Sequence, residues 1–245
     1  MHRIFVVGGS GFIGQAICRA ALSRGWEVLS LSRHGAPGRD TSGVRWIKGD
    51  ALEPATFATH LAGCDAVVHS VGVLMENGYK KAINVGYHTG AAPAPATYES
   101  ANRDTALSVA RAARATPGVD AFVYISASDV VPFLDRRYIS TKREVERELL
   151  AHQGQLRPVI LRPGFMFSPA RPITLPIAAG VDIFRTLVQR TPVGCALKNT
   201  PLAKAAAPPL RRELVARAIT NAIDAPQVSG ILEIADIERV AQMRS

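Results

Sequence analysis

The stretch Ile4-Phe5-Val6-Val7-Gly8-Gly9-Ser10-Gly11-Phe12-Ile13-Gly14 decides the fold. Four consecutive apolar residues, without polar alternation, read as a strand covered on both faces. The run ends at glycines. From Phe12 to Ser23 the apolar residues then recur at helical spacing (Ile13, Ala16, Ile17, Ala20, Ala21), and the pattern stops at Gly25. Strand, glycine turn and helix in direct succession set a helix N-terminus over the carboxyl end of a strand. Unpaired N–H groups and the positive end of the helix dipole there suit an anionic phosphate. Gly8, Gly11 and Gly14 have the G-x-x-G-x-x-G spacing, and their context makes a weak triplet specific for a dinucleotide. The residues assigned to it are Gly8, Gly9, Ser10, Gly11, Phe12, Ile13 and Gly14.

Strand and helix patterns keep alternating downstream. Strands are expected at Glu27–Ser32, Val44–Lys48, Ala66–Ser70, Ala121–Ser126, Pro158–Arg162 and Ile231–Ile234. Between them lie a loop at Arg33–Gly43, a weak helix at Pro54–Leu61, and helices at Glu99–Ala115, Tyr138–His152, Ile173–Gln189 and Leu210–Asp224. Continuous apolar strands joined through helices predict an α/β fold, a doubly wound parallel sheet of the Rossmann kind. Its ligand lies over the carboxyl ends of the strands. Residues 1–245 read as one dinucleotide-binding domain, with a core over 1–167 and a short C-terminal extension on the substrate side over 168–245. The irregular stretch from Gly72 to Tyr98, with Ala91-Ala92-Pro93-Ala94-Pro95-Ala96 at its centre, exceeds an ordinary connection. It reads as a flap near the ligand face or a disordered insertion.

The end of the second strand selects the cofactor. A carboxylate there would bond both ribose hydroxyls of NAD. The sequence has Ser30-Leu31-Ser32-Arg33-His34 instead. Arg33 suits a 2′-phosphate, because a planar guanidinium pairs with phosphate through two parallel hydrogen bonds. Ser32 and Arg33 therefore favour NADP(H), with NAD(H) as the alternative in which Arg33 only stacks on adenine. Asp50 and Ala51, after the third strand, are placed at the adenine edge.

Tyr138-Ile139-Ser140-Thr141-Lys142 sets a phenol and an ammonium four residues apart on one helical face. A lysine beside a tyrosine favours the phenolate and brings it towards a working range for proton transfer. The same lysine can hold a nicotinamide ribose hydroxyl. A serine ending the preceding strand can orient a substrate oxygen; Ser126 and Ser128 are the candidates, with Ser128 preferred. The catalytic set is Ser128, Tyr138 and Lys142. The competing reading is a surface helix whose Lys142, Arg143, Glu144 and Glu146 form ordinary ion pairs.

Bulk properties exclude other classes. The net charge is +9, but the basic residues are scattered and no aromatics interleave with them, which argues against nucleic acid. No stretch approaches the ~20 apolar residues of a membrane helix. Cys18, Cys64 and Cys195 match no zinc spacing and form no disulfide framework, so no metal is expected. The first strand starts at Arg3, and no leader is expected ahead of it. His69 reads as a packing residue beside the cofactor. Arg211-Arg212, at the start of the last long helix pattern, reads as a solvated face.

Together, the glycine turn, Gly49-Asp50, Asp65-Ala66-Val67-Val68-His69, the Ser/Tyr/Lys group and Leu161-Arg162-Pro163-Gly164-Phe165 resemble the short-chain dehydrogenase/reductase superfamily, in its extended and atypical branch. The resemblance is specific from Arg3 to about Phe167 and looser beyond. It implies that Asn102 steadies the lysine through water and that the backbone at Pro163 and Gly164 lies against the nicotinamide. Ser70, Val71 and Gly72 join the cofactor residues. Ser32-Arg33, Val68-His69-Ser70-Val71-Gly72, Tyr138-Ile139-Ser140-Thr141-Lys142-Arg143-Glu144 and Arg162-Pro163-Gly164-Phe165-Met166-Phe167 are similar to NAD(P)-binding proteins of coenzyme Q (ubiquinone) biosynthesis in fungal mitochondria. The NADPH-binding accessory subunit of respiratory complex I is a more distant likeness. The implied home is the mitochondrial matrix, peripheral to the inner membrane, beside quinone-synthesising or respiratory-chain proteins. Two functions lead, an NADP-dependent oxidoreductase and an NADPH-binding structural or regulatory subunit, with an isomerase or epimerase acting through transient oxidation as the third.

Overall fold

The computed structural model describes residues 1–37, 42–72, 97–128, 136–169, 179, 186 and 208–243. Seven parallel strands form the sheet: β1 (Arg3–Val7), β2 (Glu27–Ser32), β3 (Val44–Lys48), β4 (Ala66–His69), β5 (Ala121–Ile125), β6 (Arg157–Leu161) and β9 (Gly230–Leu232). Their order is β3-β2-β1-β4-β5-β6-β9, so the chain reverses its direction of travel between β1 and β4. That crevice is where a doubly wound sheet receives its ligand.

The continuous apolar strands are explained by their two faces. Ile4, Val6, Ala66, Val68, Val123 and Ile125 pack on one side, with α1 (Phe12–Leu22), α4 (Arg212–Asp224) and α5 (Ile234–Gln242). Phe5, Val7, Val67, Phe122 and Tyr124 pack on the other, with α2 (Thr105–Arg114) and α3 (Arg136–Ala151). Successive strand residues point to opposite faces. A strand apolar at every position therefore feeds both cores, and each buried aliphatic side chain contributes roughly 1.5–3 kcal/mol.

Several expected elements differ in detail. Pro54–Leu61 forms two 3₁₀ turns, Pro54–Thr56 and Ala58–Leu61, because Phe57 between them leaves helical geometry (φ −141°, ψ −20°) while its side chain is buried. The helix expected from Glu99 opens as a π-helical turn, Glu99–Asp104, before α2 begins at Thr105. The last strand ends at Leu232 rather than Ile234. Glu233 instead starts α5, where its carboxylate and that of Asp236 form a reciprocal cap. Leu210 and Arg211 form strand β8, paired with β7 (Met166–Phe167) in a small separate parallel ribbon. The Gly72–Tyr98 stretch, apart from its ends, and the helix expected at 173–189, apart from Ala179 and Thr186, lie outside the described residues.

Arg157 ties the far edge of the sheet to the core. Its guanidinium donates to the carbonyls of Ala222, Ile223, Ala225 and Val228, acceptors at and beyond the end of α4. Among the described residues no helix is long and apolar enough to cross a membrane.

Candidate functional site

The glycine turn closes on itself. Gly8 has φ +86°, a left-handed conformation that favours glycine, and its carbonyl accepts the Gly11 N–H at 2.9 Å. A Cβ on Gly14 would lie 2.2 Å from that same carbonyl, so only glycine lets α1 pack onto the turn. A Cβ on Gly9 would meet Ser30 Oγ at 2.2 Å. Two of the four glycines thus serve the turn's own packing. Gly11 is exposed at the N-cap of α1, where no side chain caps the helix and no acidic residue occupies the first turn. The cradle and its open N–H groups fit a dinucleotide phosphate. Ser10 points its carbonyl back to Gln15 Nε2 at 3.0 Å.

Arg212 departs from the solvated face expected of it and packs against this turn. It is 3% exposed, not solvated, because its Nη1 donates to the Phe12 carbonyl at 3.0 Å and its guanidinium sits 5.0 Å over the Phe12 ring. Its Nε donates to Glu213, which also accepts from Ser168 Oγ. The C-terminal segment is thereby fastened to the first residue of α1. Arg211 stays exposed.

At the ends of β2 and β3, Arg33 is exposed and makes no ion pair or hydrogen bond among the described residues. Ser32 Oγ donates to the Gly35 carbonyl within its own turn. Asp50 Oδ1 accepts the Leu52 N–H at 2.9 Å, which shapes the turn holding the buried Ala51.

At the ends of β4 and β5 three distant residues converge. A Cβ on Gly72 would lie 3.1 Å from Asn102 Oδ1 and 3.3 Å from Lys142 Nζ. Asn102 sits in the π-helical turn, whose loosened Asn102 carbonyl is taken by the Tyr124 hydroxyl at 3.1 Å. Lys142 is 2% exposed, and its ammonium donates to the Ile125 carbonyl at 2.9 Å and lies 4.8 Å over the Tyr124 ring. Burial pulls it down to about 7, with Glu146 opposing. Ser70 Oγ donates to the Val7 carbonyl at 2.8 Å, while a Cβ on Gly8 would touch Val71. His69 is fully buried against Tyr124, its Nε2 3.1 Å from Thr105 Oγ1.

Tyr138 behaves differently from the expectation that Lys142 lowers it. Burial pushes its phenol up to about 12, Tyr98 adds to this, and Arg143 opposes. The Lys142 ammonium is 6.0 Å from the Tyr138 ring centroid and is engaged by Ile125. The phenol therefore rests protonated. Tyr98 stands edge-on to it at 5.8 Å, and Ala127 completes this small apolar cluster.

The structure separates the two serines. Ser126 Oγ donates to Glu146 Oε1 at 2.5 Å and accepts from Arg143 Nη1 at 3.1 Å. Ser128 is 5% exposed, and its Oγ has no hydrogen-bond partner among the described residues. Its N–H donates to the Pro163 carbonyl at 3.0 Å, which sets the Pro163-Gly164 backbone beside it. Sequence reasoning missed Tyr98, Tyr124, Glu146 and Arg162. Glu146 carried a readable signal, because it continues the Tyr138, Lys142 spacing by another four residues on one helical face.

Comparisons with known proteins agree with this geometry. A family profile described as NAD(P)H-binding matches residues 8–226. MIOREX complex component 2 of Saccharomyces cerevisiae is 33% identical over 69% of this chain and 74% of its own length. A 2-alkyl-3-oxoalkanoate reductase of Stenotrophomonas maltophilia is 32% identical over 68% of this chain, which spans only 52% of that enzyme. In fold, the chain is similar to the Bordetella bronchiseptica enzyme WbmF in complex with NAD+, with a TM-score of 0.61 at 16% identity over 98% of this chain and 76% of that one. The glycine cradle, the seven-stranded order and the profile match converge on one assignment: the chain belongs to the NAD(P)H-binding Rossmann family of the short-chain dehydrogenase/reductase kind.

Proposed function

We propose that this chain is an NADP(H)-dependent oxidoreductase that reduces a carbonyl compound, working as one domain in the mitochondrial matrix beside quinone-synthesising proteins at the inner membrane. The observation that carries the chemistry is Ser128 Oγ, buried just beyond β5 with no hydrogen-bond partner among the described residues, one residue on from Ala127 of the cluster that holds Tyr138. A native buried hydroxyl without a partner costs stability unless a ligand completes it.

A bound nicotinamide supplies the hydride. Ser128 Oγ donates to the carbonyl oxygen and orients it. Tyr138, whose burial keeps the proton on the phenol oxygen, would deliver it as the alkoxide develops. Lys142 and Asn102, meeting at Gly72, hold the ribose hydroxyls. Tyr98 and Ala127 shield the phenol from water. Arg33, with no carboxylate near it on β2, takes the 2′-phosphate. The reductase relative supports the carbonyl class, and a 3-oxoalkanoate is the first probe. The yeast relative, named as a complex component, supports membership of an assembly. The mitochondrial and quinone setting rests on the motif resemblance.

The test is Tyr138→Phe. NADPH binding is expected to persist while carbonyl-dependent NADPH oxidation falls by about 10²-fold or more. Turnover at the wild-type rate in Tyr138→Phe overturns the reading.

A further inference from the structure

One face of α3 carries Tyr138, Lys142 and Glu146 at intervals of four residues. Glu146 is 2% exposed, and its carboxylate collects four donors. Arg162 grips it with both prongs, Nε to Oε1 at 3.0 Å and Nη2 to Oε2 at 2.5 Å. Ser126 Oγ and Arg143 Nη1 complete the set on Oε1. Arg143 also reaches the Ala127 carbonyl at 2.8 Å, and Arg162 reaches Glu233 at the cap of α5 at 2.7 Å. Every partner is a neighbour of a site residue. Ser126 and Ala127 precede Ser128, and Arg162 precedes Pro163, whose carbonyl holds Ser128.

We propose that Glu146 is the positioning residue of this site, a buried carboxylate that locks the Ser128 strand end and the Pro163 turn to the helix bearing Tyr138 and Lys142. The inference rests on the reductase reading. A single rotation of α3, or a shift of the 126–128 strap, would separate Ser128 from Tyr138. Glu146 opposes both, because a two-pronged pair to Arg162 fixes direction as well as distance. Breaking such a buried pair from one side leaves an uncompensated charge.

Glu146 also acts on Lys142, one helical turn away. Among the described residues the groups facing that ammonium are Tyr124 and His69 from the sheet, Asn102 from the π-helical turn, and Tyr138 and Glu146 from its own helix. Of these, Glu146 favours the charged form against the burial that opposes it.

The experiment follows the Lys142 side chain directly, by NMR pH titration of the protein labelled with [ε-13C]lysine, with Lys142→Met assigning the signal. Glu146→Gln is expected to lower the Lys142 midpoint by about one pH unit and to cut kcat with the 3-oxoalkanoate about tenfold at unchanged KM. Glu144→Gln removes the same charge from the same helix, where its partner is Arg103, and leaves both readings at wild type. Glu146→Asp keeps the charge and restores the midpoint. Should Glu146→Gln fail to fold, Arg162→Lys keeps a cation but removes the two-pronged grip. It is expected to lower kcat with the Lys142 midpoint unmoved, and a wild-type kcat overturns the proposal. A Glu146→Gln protein that titrates and turns over like Glu144→Gln also overturns it. The midpoint needs no turnover, so failure of the reductase reading, seen as activity retained in Tyr138→Phe, stays distinct from failure of this one.

Discussion

Ser126 and Ser128 leave β5 two residues apart with opposite bonding: Ser126 Oγ is tied to Glu146 at 2.5 Å, while Ser128 Oγ is buried with no partner among the described residues. The difference predicts opposite outcomes for the two alanine variants. Ser126→Ala removes a donor from a buried charged network and is expected to cost about 1–3 kcal/mol in chemical denaturation. Ser128→Ala deletes an unsatisfied hydroxyl, so its stability is expected to match wild type, while carbonyl reduction falls by about 10²-fold. A destabilised but active Ser128→Ala protein would contradict the assignment.

His69 predicts an acid limb in stability. Burial, and then the Lys142 charge, pull its imidazole down from 6.5 to about 3. The unfolded chain binds a proton between those values and the folded chain does not. Stability from this group is therefore complete above about pH 6.5 and is lost as pH falls towards 3, at about 1.4 kcal/mol per pH unit. His69→Gln should flatten that limb in denaturation at pH 7 and pH 4.5. An equally steep loss in the variant would assign the acid sensitivity to other groups.

Arg33 stands exposed without an ion pair among the described residues, next to a strand end lacking any carboxylate. Arg33→Ala is expected to weaken NADPH by about 10–100-fold, the scale of a charge-assisted hydrogen-bond pair, and to leave NADH nearly unchanged. Equal losses for both nucleotides, measured by titration calorimetry, would remove the 2′-phosphate role.

The sheet was legible because its signal is local. β2 and β3 keep the bounds expected of them, Glu27–Ser32 and Val44–Lys48. Helix α5 was lost because Ile231–Ile234 continues an apolar run, and only the Glu233/Asp236 pair marks the start of a helix there. Ribbon β7–β8 joins two residues to two others more than forty positions away, which leaves no local pattern. The site divides the same way. The glycine turn and the Tyr138/Lys142 spacing are written in sequence. The choice between Ser126 and Ser128 depends on Glu146 and Arg162, which only folding brings together. The acidity of Tyr138 is not legible in the sequence, because spacing places Lys142 on its face but does not reveal that Ile125 engages the ammonium and that burial dominates.

Isotope transfer tests the central claim most directly. The protein is given NADPH carrying deuterium at C4 and a 2-alkyl-3-oxoalkanoate, and the product is examined by mass spectrometry. On the proposed reduction the ketone carbon would gain the hydride, its oxygen would gain the Tyr138 proton, which solvent replaces, and NADP+ would leave. The account predicts deuterium on the new carbinol carbon, its transfer slowed by about 10²-fold or more in Tyr138→Phe at equal NADPH occupancy. NADPH bound tightly with no label transferred to any 3-oxoalkanoate would contradict it, and would mark the chain as a nucleotide-binding subunit that holds its cofactor without using it.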